Sequence, residues 1–139
     1  MALEILCDEE VFRKDIKLSM DHSSESEVDE GSWESSEYNY RLNTCDTKIY
    51  AVEDGVVIGH LGLQDNTVRA LFVDEEHRGQ GISKQLYLYA FKLLEHVFSD
   101  DAREESATHI WESLKEEMPD KIRYNRKKDQ FEFDSEGFE

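Results

Sequence analysis

Between Lys48 and Val73 the chain reads KIYAVEDGVVIGHLGLQDNTVRALFV. Three strand-like runs, Lys48–Val52, Val56–Leu63 and Thr67–Val73, are separated by Asp54-Gly55 and Asp65-Asn66. Both separators consist of residue types that accept positive φ, as two-residue hairpin turns require. Connections this short force successive strands to pair antiparallel, because a parallel neighbour needs a long crossover. The stretch therefore predicts an antiparallel meander, and the rest of the chain has to be built on that sheet.

What flanks the meander is more varied. Leu3 to Leu6 alternates well enough for a short first strand, and Glu9 to Met20 carries Val11, Phe12, Ile16, Leu18 and Met20 as an amphipathic helix. After the meander, Ile82, Leu86, Ala90, Leu93, Leu94 and Val97 form one apolar helical face, so a helix is expected over Ser83–Phe98. A second helix is marked by Ala107, Ile110, Trp111, Leu114 and Met118, and stops before Pro119, the only proline. KIRYNRKKDQFEFD then reads as two short strands around the polar turn Asn125–Asp129. No internal repeat interrupts this order. The fold class is α+β, a mainly antiparallel sheet with helices on its faces, and residues 1–139 make one domain.

Composition narrows the possible partners. Sixteen Lys and Arg against 33 Asp and Glu give a formal net charge of −17. Phosphate is repelled by such a surface, which argues against direct nucleic-acid binding and against anionic membranes, and favours basic protein partners. Six acids and no Lys or Arg fall in SSESEVDEGSWESSEY, Ser23–Tyr38, which reads as a flexible surface segment with Trp33 tucked back onto the body. No run approaches the roughly 18 apolar residues of a membrane span, and the start lacks a basic flank and apolar core, so neither a membrane segment nor a signal peptide is expected. Cys7 and Cys45 form no disulfide framework, and the five histidines have no ligand spacing, so no metal is expected. A reduced, cytoplasmic setting fits these features.

The stretch LFVDEEHRGQGISKQL, Leu71–Leu86, sets Arg78, Gly79 and Gly81 between a strand and a helix. A helix N-terminus presents unpaired N–H groups and partial positive charge. Glycines before it let phosphate oxygens approach without a Cβ in the way. The familiar nucleotide loops do not fit: there is no G-x-x-x-x-G-K-S/T, and Lys84 stands at the third glycine of the dinucleotide spacing.

Arg78-Gly79-Gln80-Gly81-Ile82-Ser83 resembles motif A of the GCN5-related N-acetyltransferases (GNAT), Q/R-x-x-G-x-G/A, with Ser83 at the small last position. The strand Leu71-Phe72-Val73 before it, the three-stranded meander and the helix after it repeat that family's order. Ala107-x-x-Ile110-Trp111 is similar to the family's late A-x-x-L-Y helix. The resemblance runs from about Lys48 to Phe133, and the short acidic chain is also similar to acetyltransferase-like proteins of tailed phages. It implies a central sheet with helices on both faces and acetyl-CoA as co-substrate. The backbone of Leu71, Phe72 and Val73 would pair with the pantetheine arm, and the amides of Arg78, Gly79, Gln80, Gly81, Ile82 and Ser83 would cradle the pyrophosphate. Arg78 and Lys84 would supply charge, although Lys84 reads equally as a solvated helix residue.

For catalysis the resemblance gives less. The family's frequent glutamate falls at Thr67 and its tyrosine at Trp111, neither of which exchanges a proton usefully. His60, between Gly59 and Gly62, is the candidate base, and Tyr124 on the closing hairpin is the candidate acid. Tyr87 and Tyr89 lie off the main apolar stripe of their helix. Two functions stay open. One is acetyl transfer from acetyl-CoA to an amine, such as one on a basic host protein. The other is a noncatalytic acidic protein of the same fold that occupies and blocks a basic, nucleic-acid-binding partner.

Overall fold

The computed structural model describes residues 3–7, 42–100 and 105–138. The helix expected over Glu9–Met20 and the acidic segment Ser23–Tyr38 lie outside the described residues. Seven strands form one sheet: β1 (Leu3–Cys7), β2 (Thr47–Glu53), β3 (Val56–Gln64), β4 (Thr67–Val73), β5 (His96–Phe98), β6 (Ile122–Asn125) and β7 (Gln130–Asp134). Helix α1 (Ile82–Leu93) follows β4, and α2 (Glu105–Glu117) follows β5.

The meander forms as its turns dictate. Asp54 and Gly55 take φ of 54° and 77°, Asp65 and Asn66 take 50° and 67°, and these positive values match the twist of the strands they join. The register slips between Ala51 and Val52, leaving Ile58 as an extra residue of β3, and between Gly62 and Leu63, leaving Arg69 extra in β4. Such bulges bend the strands and re-aim the side chains beyond them. Seven consecutive residues of β3, Val57–Leu63, are buried, so this strand is covered on both faces.

The sheet order is β1-β2-β3-β4-β5-β7-β6. Every neighbouring pair is antiparallel except β4 and β5, which run parallel and share only the Thr67–Phe98 position. β5 was not expected from the sequence, which ran one helix through to Phe98. The helix instead ends at Leu93, Leu94 takes extended φ and ψ of −121° and 138°, and Val97 joins the sheet. A three-residue apolar strand has no period of its own, so Leu94 and Val97 matched the helical spacing by coincidence.

One large apolar cluster joins Ile49, Leu61, Leu63 and Val68 of the sheet to Leu86, Tyr87 and Phe91 of α1 and to Trp111 and Leu114 of α2. Tyr87, expected off the apolar stripe, is 1% exposed and packs edge-on to Trp111 at 5.2 Å. Phe91 stacks on Phe133 at 4.0 Å and Trp111 on Phe131 at 5.8 Å, fastening both helices to β7. On the opposite face, Leu6, Tyr50, Val52 and Val57 form a smaller cluster, and Leu42 and Cys45 pack over Gly62. No helix among the described residues is long and apolar enough to cross a membrane.

Candidate functional site

The parallel pair opens a crevice in the sheet. Phe98 N–H donates to Asn66 O at 2.8 Å, and Arg69 meets Asp100 at 3.3 Å just beyond it. Past that point Ala70 to Val73 keep β3 on one side and, among the described residues, have no strand on the other. An open strand edge of this kind presents N–H and C=O groups to any extended ligand. Leu71, Phe72 and Val73 thus lie where an added chain would pair.

The loop after β4 is tightly built. Asp74 N–H donates to Ile58 O at 2.8 Å, and Glu75–His77 form a single 3-10 turn. Arg78 turns back: its Nε donates to Val73 O at 2.9 Å, and its guanidinium lies 5.6 Å above the Phe72 ring. The arginine therefore braces the loop to the end of β4 in addition to carrying charge. His77 sits between Asp74 and Glu53, at 3.3 and 3.8 Å.

Gly79 and Gly81 hold φ of 81° and 78°, and nothing lies within 4 Å of where a Cβ would stand on either. Left-handed backbone explains why both are glycine. The space before them is open to a ligand's approach. Gly81 is the N-cap of α1, no side chain caps the helix, and the first turn carries no acid. The amides of Ile82, Ser83 and Lys84 thus belong to a turn without intrahelical partners. Gln80 is exposed and Ser83 half-buried. Loop, helix start and open β4 edge adjoin one another, so this set of sequence-selected residues is brought together.

Lys84, which the sequence left between a phosphate contact and a solvated helix position, forms an ion pair. Its Nζ lies 2.5 Å from Glu117 Oε1, tying α1 to the end of α2. Its amide belongs to the first turn of α1, but its charge is directed at a carboxylate.

The two catalytic candidates are not brought together. His60 stands opposite Tyr50 and Phe72 in the ladder and is 1% exposed, edge-on to Tyr50 at 5.2 Å. Burial lowers its pKa from 6.5 to about 4, so at neutral pH it is an uncharged, weakly basic ring inside the protein. Tyr124 lies on edge strand β6, with three strands between it and β3, on the side covered by α2, where it donates to Asp129 and packs 5.0 Å from Phe131. It lines a cavity of about 560 Å³ with Thr108, Glu112, Lys115, Pro119 and Phe131. Trp111 is fully buried among aromatics. Among the described residues no group of three His, Cys, Asp or Glu could hold a metal ion.

Sequence reasoning missed the far bank of the crevice. Ser99 is fully buried, its Oγ accepts from Phe131 N–H at 2.8 Å, and its O accepts from Gln130 Nε2 at 2.9 Å, clamping β7 to the end of β5. Since β5 itself was read as helix, the position of the closing hairpin beside β4 had no signal.

The fold is similar to several solved acetyltransferases. An IAA acetyltransferase from Bacillus cereus is 15% identical, with 96% of this chain and 99% of that one covered and a TM-score of 0.56. Apo YjaB from Escherichia coli is 16% identical over 99% and 100%, with a TM-score of 0.51. Diaminobutyrate acetyltransferase EctA from Paenibacillus lautus, in complex with L-2,4-diaminobutyric acid and coenzyme A, is 15% identical over 99% of each chain, with a TM-score of 0.51. No curated protein matches the sequence. At these identities the structures establish the fold alone. The family model described as Acetyltransferase (GNAT) family matches residues 16–113, more than half the chain, and the chain belongs to that family.

Proposed function

We propose that this protein transfers an acetyl group from acetyl-CoA to an amine. The observation that carries the proposal is the start of α1, without a side-chain cap, behind two open, left-handed glycines, next to the edge of β4 that has no neighbouring strand among the described residues. The pyrophosphate fits the amides from Arg78 to Ser83, and the pantetheine arm fits the edge Leu71–Val73. EctA, of similar fold, holds coenzyme A and an amine substrate. When bound, acetyl-CoA supplies an activated acetyl carbon. The acceptor nitrogen bonds to that carbon, the C–S bond breaks, and the proton lost by nitrogen ends on the departing sulfur.

The chain's own contribution is mainly placement. Neither Thr67 nor Trp111 is a proton carrier, His60 is buried and weakly basic, and Tyr124 is engaged with Asp129. Holding amine and thioester together is worth up to about 7–11 kcal/mol of barrier in well-oriented systems, whereas acid–base help adds about 10²–10⁴-fold. Such a site follows the acceptor's own ionisation: kcat/KM rises with pH until the amine is neutral and shows no break from a protein base.

Binding is tested by calorimetric titration with acetyl-CoA and CoA against wild type and Gly81→Glu. Micromolar binding lost in the variant supports the cradle. No heat from a folded wild type overturns the reading. In that event the second function, an acidic binder of a basic partner, gains force, since Thr67 and the buried Trp111 already favour it. A basic protein as the carrier of the acceptor amine is what the net charge of −17 supports, but where that charge sits bears more directly on what reaches the crevice.

A further inference from the structure

We infer that the amine accepted at this crevice is carried on a short molecule with negative charge of its own, read by the tip of the β6–β7 hairpin. This rests on the acetyl-transfer reading above. From Lys121 to Lys128 the chain holds Lys121, Arg123, Arg126, Lys127 and Lys128 and no acid, so a net −17 divides into +5 here and −22 elsewhere.

Register places the tip. Phe98 stands opposite Glu132, and Gln130 and Phe131 bond to Ser99 at the end of β5. Residues 126–129 therefore project past the end of β5, on the β5 side of the crevice. The turn is held rigid. Asn125 Oδ1 accepts from Lys127 N–H at 3.1 Å and Lys128 N–H at 3.3 Å, and Tyr124 donates to Asp129. Arg123 is committed to Glu132 at 2.8 Å and to the Phe138 ring at 4.2 Å. Arg126, Lys127 and Lys128 are exposed and form no ion pair among the described residues. Across the opening the loop carries both signs, with Glu75, Glu76 and Arg78 exposed, whereas Arg126–Lys128 is a run of one sign, followed by Asp129, which accepts from Tyr124.

An acceptor whose amine reaches the thioester beside the β4 edge and whose phosphate or carboxylates lie against the hairpin matches this arrangement. Length decides against a nucleic acid. A duplex carries about one charge per 1.7 Å, far beyond a three-residue tip, and would run onto acidic surface within a screening length of about 8 Å. A short acidic peptide or a small amino-phosphate or amino-acid molecule touches the tip alone.

The test uses full-length protein loaded with CoA. Fluorescence anisotropy follows three labelled peptides that present the same primary amine in acidic, neutral and basic contexts, with phosphoethanolamine and glutamate as small competitors. The acidic peptide is expected to bind at least tenfold tighter than the basic one, and less tightly as salt rises. The triple variant Arg126→Glu, Lys127→Glu, Lys128→Glu is expected to abolish or invert that order with CoA affinity unchanged. Competition by phosphoethanolamine or by glutamate tells phosphate from carboxylate as the preferred anion. Equal or reversed preference in wild type overturns the inference, as does a preference untouched by the variant. Tighter binding of a single-stranded oligonucleotide overturns the short-anion class. Loss of CoA affinity in the variant assigns the tip to the cofactor's phosphates instead. A wild type that does not bind CoA fails the acetyl-transfer reading itself.

Discussion

His60 shows how burial overrides what a side chain offers in isolation. Its folded pKa of about 4 lies below the ordinary 6.5, so the folded state stays neutral while the unfolded chain takes up a proton. Stability is therefore complete above about pH 6.5, falls as pH drops toward 4, and levels off below, a total of about 3 kcal/mol. Urea unfolding at pH 7 and pH 4.5 checks this: wild type loses more stability between the two than His60→Gln. A Cβ at Gly62 would stand 2.7 Å from Cys45 Sγ and 3.0 Å from Leu42 Cδ1, both in a closed contact. Gly62→Ala is expected to cost about 1–3 kcal/mol by overpacking, read as a lowered urea midpoint. Arg78→Ala removes the bond to Val73 O and the contact with Phe72. It is expected to weaken CoA binding about tenfold, near 1.4 kcal/mol, with a small change in melting, because an exposed brace orders a loop rather than a core. The motif Arg78–Ser83 was legible in the sequence because glycines at fixed spacing encode backbone geometry directly. The return of the Arg78 side chain to Val73 was not, since a side chain's direction depends on where the chain turns.

At the scale of elements, the turns and the hairpin were the most legible. Thr67–Val73 is the strand that alternation and its bounding turn define, and the closing strands fall on either side of the expected polar turn. Short-range chemistry settles these: residues that accept positive φ make the turn, and the turn sets the pairing. β5 was invisible because its pairing with β4 is non-local and only one residue deep. The α2 face was legible as apolar spacing, but its aromatic partners were not. Trp111 packs against Tyr87, Phe91 and Phe131 and joins both helices to β7. Trp111→Ala is expected to cost about 3–5 kcal/mol, the range for a large buried aromatic, and to lower the thermal midpoint measured by circular dichroism.

For the molecule as a whole, the sheet is continuous in hydrogen bonding but opened by its one parallel step. The meander and α1 build one bank of the crevice, and β5, α2 and the hairpin build the other. Hydrogen exchange is expected to be slowest in β2, β3 and α1, where fully buried residues concentrate, and faster in β6, the edge strand; amide exchange by mass spectrometry ranks them. Net charge was countable from composition, and it pointed to basic partners. Its placement in space was not, because where Lys121–Lys128 lies is fixed only once β7 pairs with β5 and carries the turn past its end. By itself, then, the sequence determined the meander, the glycine loop before α1 and the α+β class, all of which rest on local periodicity, turn chemistry and glycine φ. Only tertiary structure decided that β4 and β5 part, that His60 is buried and Trp111 enclosed, and that the closing hairpin pairs with β5. Those properties come from contacts between residues distant along the chain, whose burial and proximity no local pattern records.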